Sequence, residues 1–305
     1  MAYTFLEMQN VILDLMEQDD SITRDRVKRY INMVGSDIWL RYPWPERRKT
    51  YFSQTVPVVI SPGTVTVTQG STTVTGVGTQ WIADGNVTPG MKFSLGNASP
   101  WYVINAVLTD TQLELENPYV EGDLSGSLFF IYQDVITLPQ DCEKIVNLMT
   151  ADPDRGGVAM PIARIDLDAL VYLPRSQGVP TQYAMMELTD GGSQTMRVWP
   201  VPDIAYGYQI TYLNKWVDLV DDTDVPQLEE DKRDIMTIGA LKWGYLQAFE
   251  AGKAQLAEAR YERDLARAIG IASRRHPMRL VMRKFDDWSV WRNPLQMPFK
   301  DAIGN

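Results

Sequence analysis

The hydrophobic repeat of this chain changes period twice, and that switch limits what the chain can fold into. In the first forty residues, apolar positions recur at three- and four-residue steps: Phe5, Met8, Ile12 and Leu15, then Val27, Tyr30, Ile31, Val34 and Ile38. Such spacing puts them on one face of each of two amphipathic helices. Asp19, Asp20, Ser21 and Thr23 offer N-cap oxygens for the second helix, and Pro43 and Pro45 forbid its continuation past Tyr42. Residues 51 to 139 alternate Thr, Val, Gly and aromatics at period two, the repeat of β-strands. Helical spacing returns at Ile235, Ile238, Leu241, Tyr245 and Phe249. A second stripe follows Gly252 at Leu256, Ala259, Leu265, Ala268, Ile269 and Ala272. The pattern predicts an α+β fold: a helical core from 1–50 and 226–273, ending in a helical hairpin, with an antiparallel β region between and an extended C-terminal tail.

Within the β region, Thr64 to Thr75 reads as two alternating runs around Gln69-Gly70, a tight hairpin in which glycine supplies the positive φ. Further strands are predicted at Lys92 to Leu95, Tyr102 to Leu108, Gln112 to Glu116 and Ser127 to Tyr132, with Gly76, Gly78, Gly90 and Gly96 as punctuation. Residues 63–132 therefore read as a small β-sandwich or barrel inserted into the 51–139 region. A mixed, β-rich region spans 140–225. It holds a strand or helix edge at Lys144 to Met149 and a short helix at Asp166 to Leu170 closed by Pro174. Strands at Tyr183 to Leu188 and Thr195 to Trp199 pair across Thr189 to Ser193, and Tyr208 to Leu213 is expected to extend that sheet. The acidic loop Asp218 to Asp224 leads to Pro226 at the expected helix start, where Glu229, Glu230 and Asp231 meet the positive end of the helix dipole.

Composition excludes several kinds of chemistry. Cys142 is the only cysteine and His276 the only histidine, so neither an intrachain disulfide nor a Cys/His zinc cluster can be assembled within one chain. A Ser-His-Asp triad would have to recruit His276, which lies in an Arg-rich segment beside Pro277. The acidic loop lacks the glycine and closing glutamate of a calcium loop. No catalytic residue, metal site or cofactor is expected, and the chain does not read as an enzyme; paired carboxylates at a hydrolase separation cannot be placed from sequence. A net charge of −10 argues against general affinity for nucleic acid. No window approaches a membrane span and the start lacks a basic segment followed by an apolar core, so synthesis in the cytosol without a membrane anchor is expected.

Two charged segments leave alternatives open. The outer face of the second helix carries Arg24, Arg26, Lys28 and Arg29, which suits either a solvated face or a partner contact. Residues 274–305 hold seven basic against three acidic residues, a net +4 that leaves −14 on the rest. Met278, Leu280, Val281, Phe285, Trp288, Trp291, Leu295 and Phe299 are interleaved with these charges, and Pro277, Pro294 and Pro298 prevent one long helix. Large apolar groups beside arginines mark a docking segment, since tryptophan and arginine dominate interface hot spots. Stacking of bases on the tryptophans is the competing reading, and the acidic body opposes it.

In the insert, Val74-Thr-Gly-Val-Gly-Thr-Gln-Trp81, Pro89-Gly90, Thr109-Asp-Thr-Gln-Leu-Glu-Leu115 and Pro118-Tyr119 resemble a small β domain of phage adaptor and tail proteins. It would serve either as an inter-subunit or ring-rim contact or as an ordinary edge-protected sheet. The order of parts continues with Gly178-Val-Pro-Thr-Gln-Tyr183, Val198-Trp-Pro-Val-Pro-Asp203, strand Tyr208 to Tyr212, the acidic connector and Ala259-Arg-Tyr-Glu-Arg-Asp-Leu265. That order resembles the head-to-tail adaptor, or connector, proteins of tailed bacteriophages. The resemblance implies a structural virion protein at the head-tail junction, assembled in the host bacterial cytoplasm. It implies a homo-oligomeric ring, commonly of twelve copies, between the portal protein and a downstream tail or neck protein. Genomic DNA would pass through its channel without sequence-specific binding. The tail would then dock on the portal through Arg279, Arg283, Phe285, Trp288 and Trp291. The alternative is a tail-tip or fibre-associated module whose insert meets host glycans through Trp81 and Trp101; burial of these tryptophans would count against it.

Overall fold

Helix α1 (Phe5–Met16) starts at Thr4, whose hydroxyl accepts from the Glu7 N–H while the Glu7 carboxylate accepts from the Thr4 N–H. This reciprocal cap satisfies two donors that the first helical turn leaves without partners. The computed structural model describes residues 3–275 apart from 57–61, 84–86, 96–99, 153–157, 172, 174–175 and 190. Helix α2 (Ser21–Arg41) is capped by Asp20, whose carboxylate accepts from Ile22 N and Thr23 N, and it stops before Tyr42-Pro43 as expected. After a 3-10 turn at Pro45–Arg47 comes β1 (Arg48–Gln54), followed by β2 (Thr64–Val67), β3 (Thr73–Val77) and β4 (Lys92–Ser94). Next are β5 (Tyr102–Thr109), β6 (Gln112–Leu115), β7 (Leu124–Ser127), β8 (Phe130–Tyr132), β9 (Val135–Thr137) and β10 (Cys142–Asp152). Then follow β11 (Val158–Pro161), β12 (Ala163–Arg164), the short α3 (Leu167–Val171), β13 (Gln182–Leu188), β14 (Gln194–Trp199) and β15 (Gly207–Asn214). Helices α4 (Glu230–Gln247) and α5 (Ala251–Arg275) complete the described chain, an α+β architecture of helices with mainly antiparallel strands.

Seven inserted strands form one sheet in the order β7-β2-β3-β6-β5-β4-β8. Its first and last strands are joined only by Leu128 and Phe129, so the two edges lie within about 10 Å of each other and the sheet curls into a half-barrel. Ser127 to Tyr132 is therefore not one strand. It is split between opposite edges, because Phe129 turns into the core while Leu128 stays exposed. The Gln69-Gly70 turn is as expected, with Gly70 at φ +80°. Val65, Val67, Val74, Phe93, Leu113 and Leu115 fill the interior from alternate positions.

Two four-stranded sheets follow, ordered β1-β15-β10-β11 and β12-β13-β14-β9. The β13–β14 hairpin forms as expected, but β15 does not extend it. Strand β9 occupies the other edge of β14, and Pro200 and Pro202 remove ladder donors just beyond β14. Strand β15 instead lies between β1 and β10, burying Tyr208, Ile210 and Tyr212. Lys144 to Met149 is part of an eleven-residue strand with two register shifts. Gly96, Pro174 and Asp190, to which turn or breaking roles are given above, lie outside the described residues.

The helical core joins α1, α2, α4 and α5 around Phe5, Met8, Ile31, Trp39, Met236 and Leu265. Gly35 lets α2 approach Trp216 and Met236, where a Cβ would stand 2.5 Å from the indole ring. Buried and half-buried hydrogen bonds tie helices to sheet: Trp39 Nε1 donates to Asn214 O at 2.9 Å, and Arg47 donates to Trp39 O and to Glu143, each at 2.6 Å. Pro226 is not the first helical residue. Helix α4 begins at Glu230, one turn later, and Arg233 donates back to Leu228 O and Pro226 O across the intervening turn.

Candidate assembly surfaces

The hairpin joining α4 to α5 turns on Phe249, not Gly252, which is already inside α5. Phe249 has φ +60°, Ala248 N donates to Gly244 O, and Glu250 N donates to Tyr245 O at 2.9 Å. This is the left-handed position after a helix that glycine normally fills, because a side chain there crowds its own backbone. The ring it carries is 95% exposed. Leu256 nearby is 74% exposed, and the end of α1 reaches the same tip, with Tyr245 Oη donating to Leu15 O at 3.3 Å. Leu15 and Leu246 add exposed apolar area, and the Lys253–Glu250 ion pair at 2.7 Å spans the turn. That bond holds the Lys253 ammonium above its usual range.

Two depressions flank the hairpin. A groove of about 520 Å³ has α4 as its floor through Thr237, Ile238 and Leu241, with walls from Leu15 of α1 and Leu256 of α5. On the opposite flank, a narrower cleft of about 260 Å³ lies between α2, α4 and α5, lined by Met33, Gly239, Trp243 and Tyr261. Trp243 stacks against Tyr30 with ring centroids 6.5 Å apart, which fixes the ring as one wall. Arg41 and Lys242 at its rim bind Glu262 and Glu258. On the charged face of α2, Arg24 and Lys28 are engaged by Asp19 and Asp222, whereas among the described residues Arg26 and Arg29 have no carboxylate partner. A third hollow of about 580 Å³ crosses the β1-β15-β10-β11 sheet beside the exposed Phe52.

The inserted half-barrel is anchored at its stem. Val56 N donates to Gln133 Oε1 at 3.1 Å, so the incoming and outgoing chains lie side by side. Asp134, fully buried, accepts from Lys92 Nζ of β4 at 2.6 Å and from Arg197 Nε of β14 at 2.7 Å. Trp101 covers both cations, its ring 4.2 Å from Lys92 Nζ. The two tryptophans considered for ligand contact thus part company. Trp81 is 2% exposed, packed edge-on against Phe129, whereas Trp101 is 39% exposed and engaged by the stem. They form no shared aromatic face.

Burial, with Asp141 beside it, pushes the Cys142 thiol up to about 11, far from a reactive thiolate. In the acidic loop, Asp222 accepts from Gln9 and Lys28, and Asp224 accepts from Val220 N and Asp221 N, so these carboxylates fasten the loop to itself and to both N-terminal helices. Among the described residues no three His, Cys, Asp or Glu groups stand together as metal ligands, and no helix is long and apolar enough to cross a membrane. His276 and the expected docking residues Arg279, Arg283, Phe285, Trp288 and Trp291 lie outside the described residues. What is described is their point of departure: α5 runs 25 residues, about 37 Å, from the hairpin tip to Arg275 at the far end. Sequence periodicity missed the tip because a phenylalanine at helical spacing is indistinguishable from a core position.

Comparison with curated proteins finds no match. Comparison with family models matches residues 131–284 to the SU10 adaptor protein family. The match begins within β8, where the inserted half-barrel ends, and takes in strands β9 to β15, the stem carboxylate Asp134 and the whole α4–α5 hairpin. It covers half of the chain and contains the turn, the cleft wall and the acidic connector described above. The chain therefore belongs to the SU10 adaptor protein family and is a phage adaptor protein, a structural component of the virion.

Proposed function

We propose that this adaptor forms a head-to-tail ring, of twelve copies, between the portal protein and a downstream tail or neck protein, with genomic DNA passing through its channel. The observation that carries this reading is the helical unit whose α4–α5 hairpin the family match spans. Its hairpin presents an unpartnered aromatic tip and two flanking depressions, which suits a protein whose surface is completed by other chains. A net charge of −10 suits a channel that lets DNA slide without adhering. No covalent chemistry is required by this role, and none is assigned. Residues 274–305 supply the contact to the portal: Phe285, Trp288 and Trp291 are the apolar anchors, and Arg279 and Arg283 steer the approach. The glycan-binding alternative loses its footing with Trp81, whose ring is inside the half-barrel.

Deleting residues 274–305 tests the docking step. Heads assembled with the truncated chain are expected to lack the adaptor ring, and the truncated chain is expected to lose affinity for purified portal. Unchanged affinity would refute the docking role. Electron microscopy of the full chain mixed with portal tests the ring itself, which requires discrete rings at one end of the portal.

A further inference from the structure

Phe249 is costly to the isolated chain in two ways. A bulky residue at φ +60° is strained where glycine would not be, and its ring is left almost wholly in water. Neither cost is recovered by a contact among the described residues, since the ring lines neither flanking depression of its own hairpin. The cleft between α2, α4 and α5 offers room for a ring. Its volume of about 260 Å³ exceeds the roughly 150 Å³ that suffices to hold a benzene ring. Met33 and Trp243 give it apolar walls. Charge agrees with shape: Asp14 and Glu17 beside the tip form no ion pair among the described residues, and neither do Arg26 and Arg29 on the α2 face that borders the cleft.

We propose that the occupant of the cleft is a second copy of this chain: Phe249 at the hairpin tip of one copy seats between Met33 and Trp243 of the next. Glu17 of the first copy then faces Arg26 and Arg29 of the second. Tip and cleft are different surfaces, so each copy offers one of each, and repetition of this heterologous contact closes a ring where the rotation allows. The inference rests on the ring reading and names the contact that builds it.

Two variants and their mixture test the contact by sedimentation velocity over a wide concentration range. Phe249→Gly removes the ring and relieves the left-handed strain, so its monomer should unfold at the same or a higher temperature while self-association weakens by at least ~30-fold, the loss expected of an interface anchor. Met33→Glu places a charge in the exposed wall of the cleft and should have the same effect on association. Each variant keeps the surface the other lacks, so the mixture should form 1:1 dimers and nothing larger. If the native chain assembles beyond dimers and Phe249→Gly does so equally well, the tip assignment is wrong and the ring reading stands. Two monomeric variants that give no mixed dimer also overturn the assignment. A native chain that saturates at dimers overturns the heterologous contact, and one that stays monomeric at every concentration and on purified portal overturns contact and ring together.

Discussion

Asp134 is the residue on which the inserted half-barrel is fixed to the rest of the molecule. One carboxylate oxygen receives both Lys92 and Arg197, in a site where water reaches neither Asp134 nor Lys92. Replacing a single partner of a buried pair is far worse than replacing both, because it leaves a buried charge without its counter-charge. Asp134→Asn should therefore lower stability by about 3–5 kcal/mol, read from the shift of the urea midpoint; a change below about 1 kcal/mol would show that solvent enters the site. Sequence reading could not find this cluster, since Lys92, Asp134 and Arg197 come from three separate strands or connections. It also could not separate Trp81 from Trp101. Both follow turn residues in a glycine-rich region, and only the curl of the sheet decides which ring is enclosed.

At the scale of elements, helix ends were legible and sheet partners were not. Asp20 as a cap and the stop at Tyr42-Pro43 depend on neighbouring backbone groups, so a few residues of sequence contain the whole cause. The place of β15 depends on β1 and β10, which reach it from far away in sequence, and on β9, which takes the other edge of β14, so the tendency of consecutive strands to pair pointed to the wrong neighbour. Three carboxylates, one capping α2 and two joining separate elements, give a testable pH profile. Asp20 is held below the usual range chiefly by the Thr23 hydroxyl, and Asp222 by Lys28 and then Gln9. At Asp141 burial pushes upward, but donation from Lys49 and Tyr212 outweighs it and the net shift is again downward. A lowered folded-state value means stability that is complete above the unfolded carboxylate value of about 4 and lost as pH falls through the folded values. Thermal midpoints should thus be flat from pH 7 to about 5 and fall below about 4, with Asp141→Asn flattening the acid limb. A limb of unchanged steepness in that variant would remove Asp141 from the explanation.

Over the whole molecule, the half-barrel and the helical unit have separate apolar interiors, the first around Phe93 and Ile131 and the second around Trp39 and Met236. Replacing residues 57–131 with a short Gly-Ser linker should leave the helical circular-dichroism signal and a cooperative unfolding transition, because Val56 and Gln133 are already neighbours. Loss of either signal would mean that the insert is needed for the rest to fold. The α+β character and the helical hairpin could be read from period alone, whereas the surfaces proposed for assembly could not. Phe249 and Met33 lie at helical spacing like core residues, and only the packed structure shows which side chains were left over. The side-by-side strands of the stem have one more consequence. A segment that leaves and rejoins a scaffold side by side can be lengthened or exchanged at its far end without moving the rest, so beyond the Lys92–Asp134 stem the half-barrel is free to diverge at the pace set by whatever it meets. The hairpin, if it seats against identical neighbours as proposed, has no such freedom.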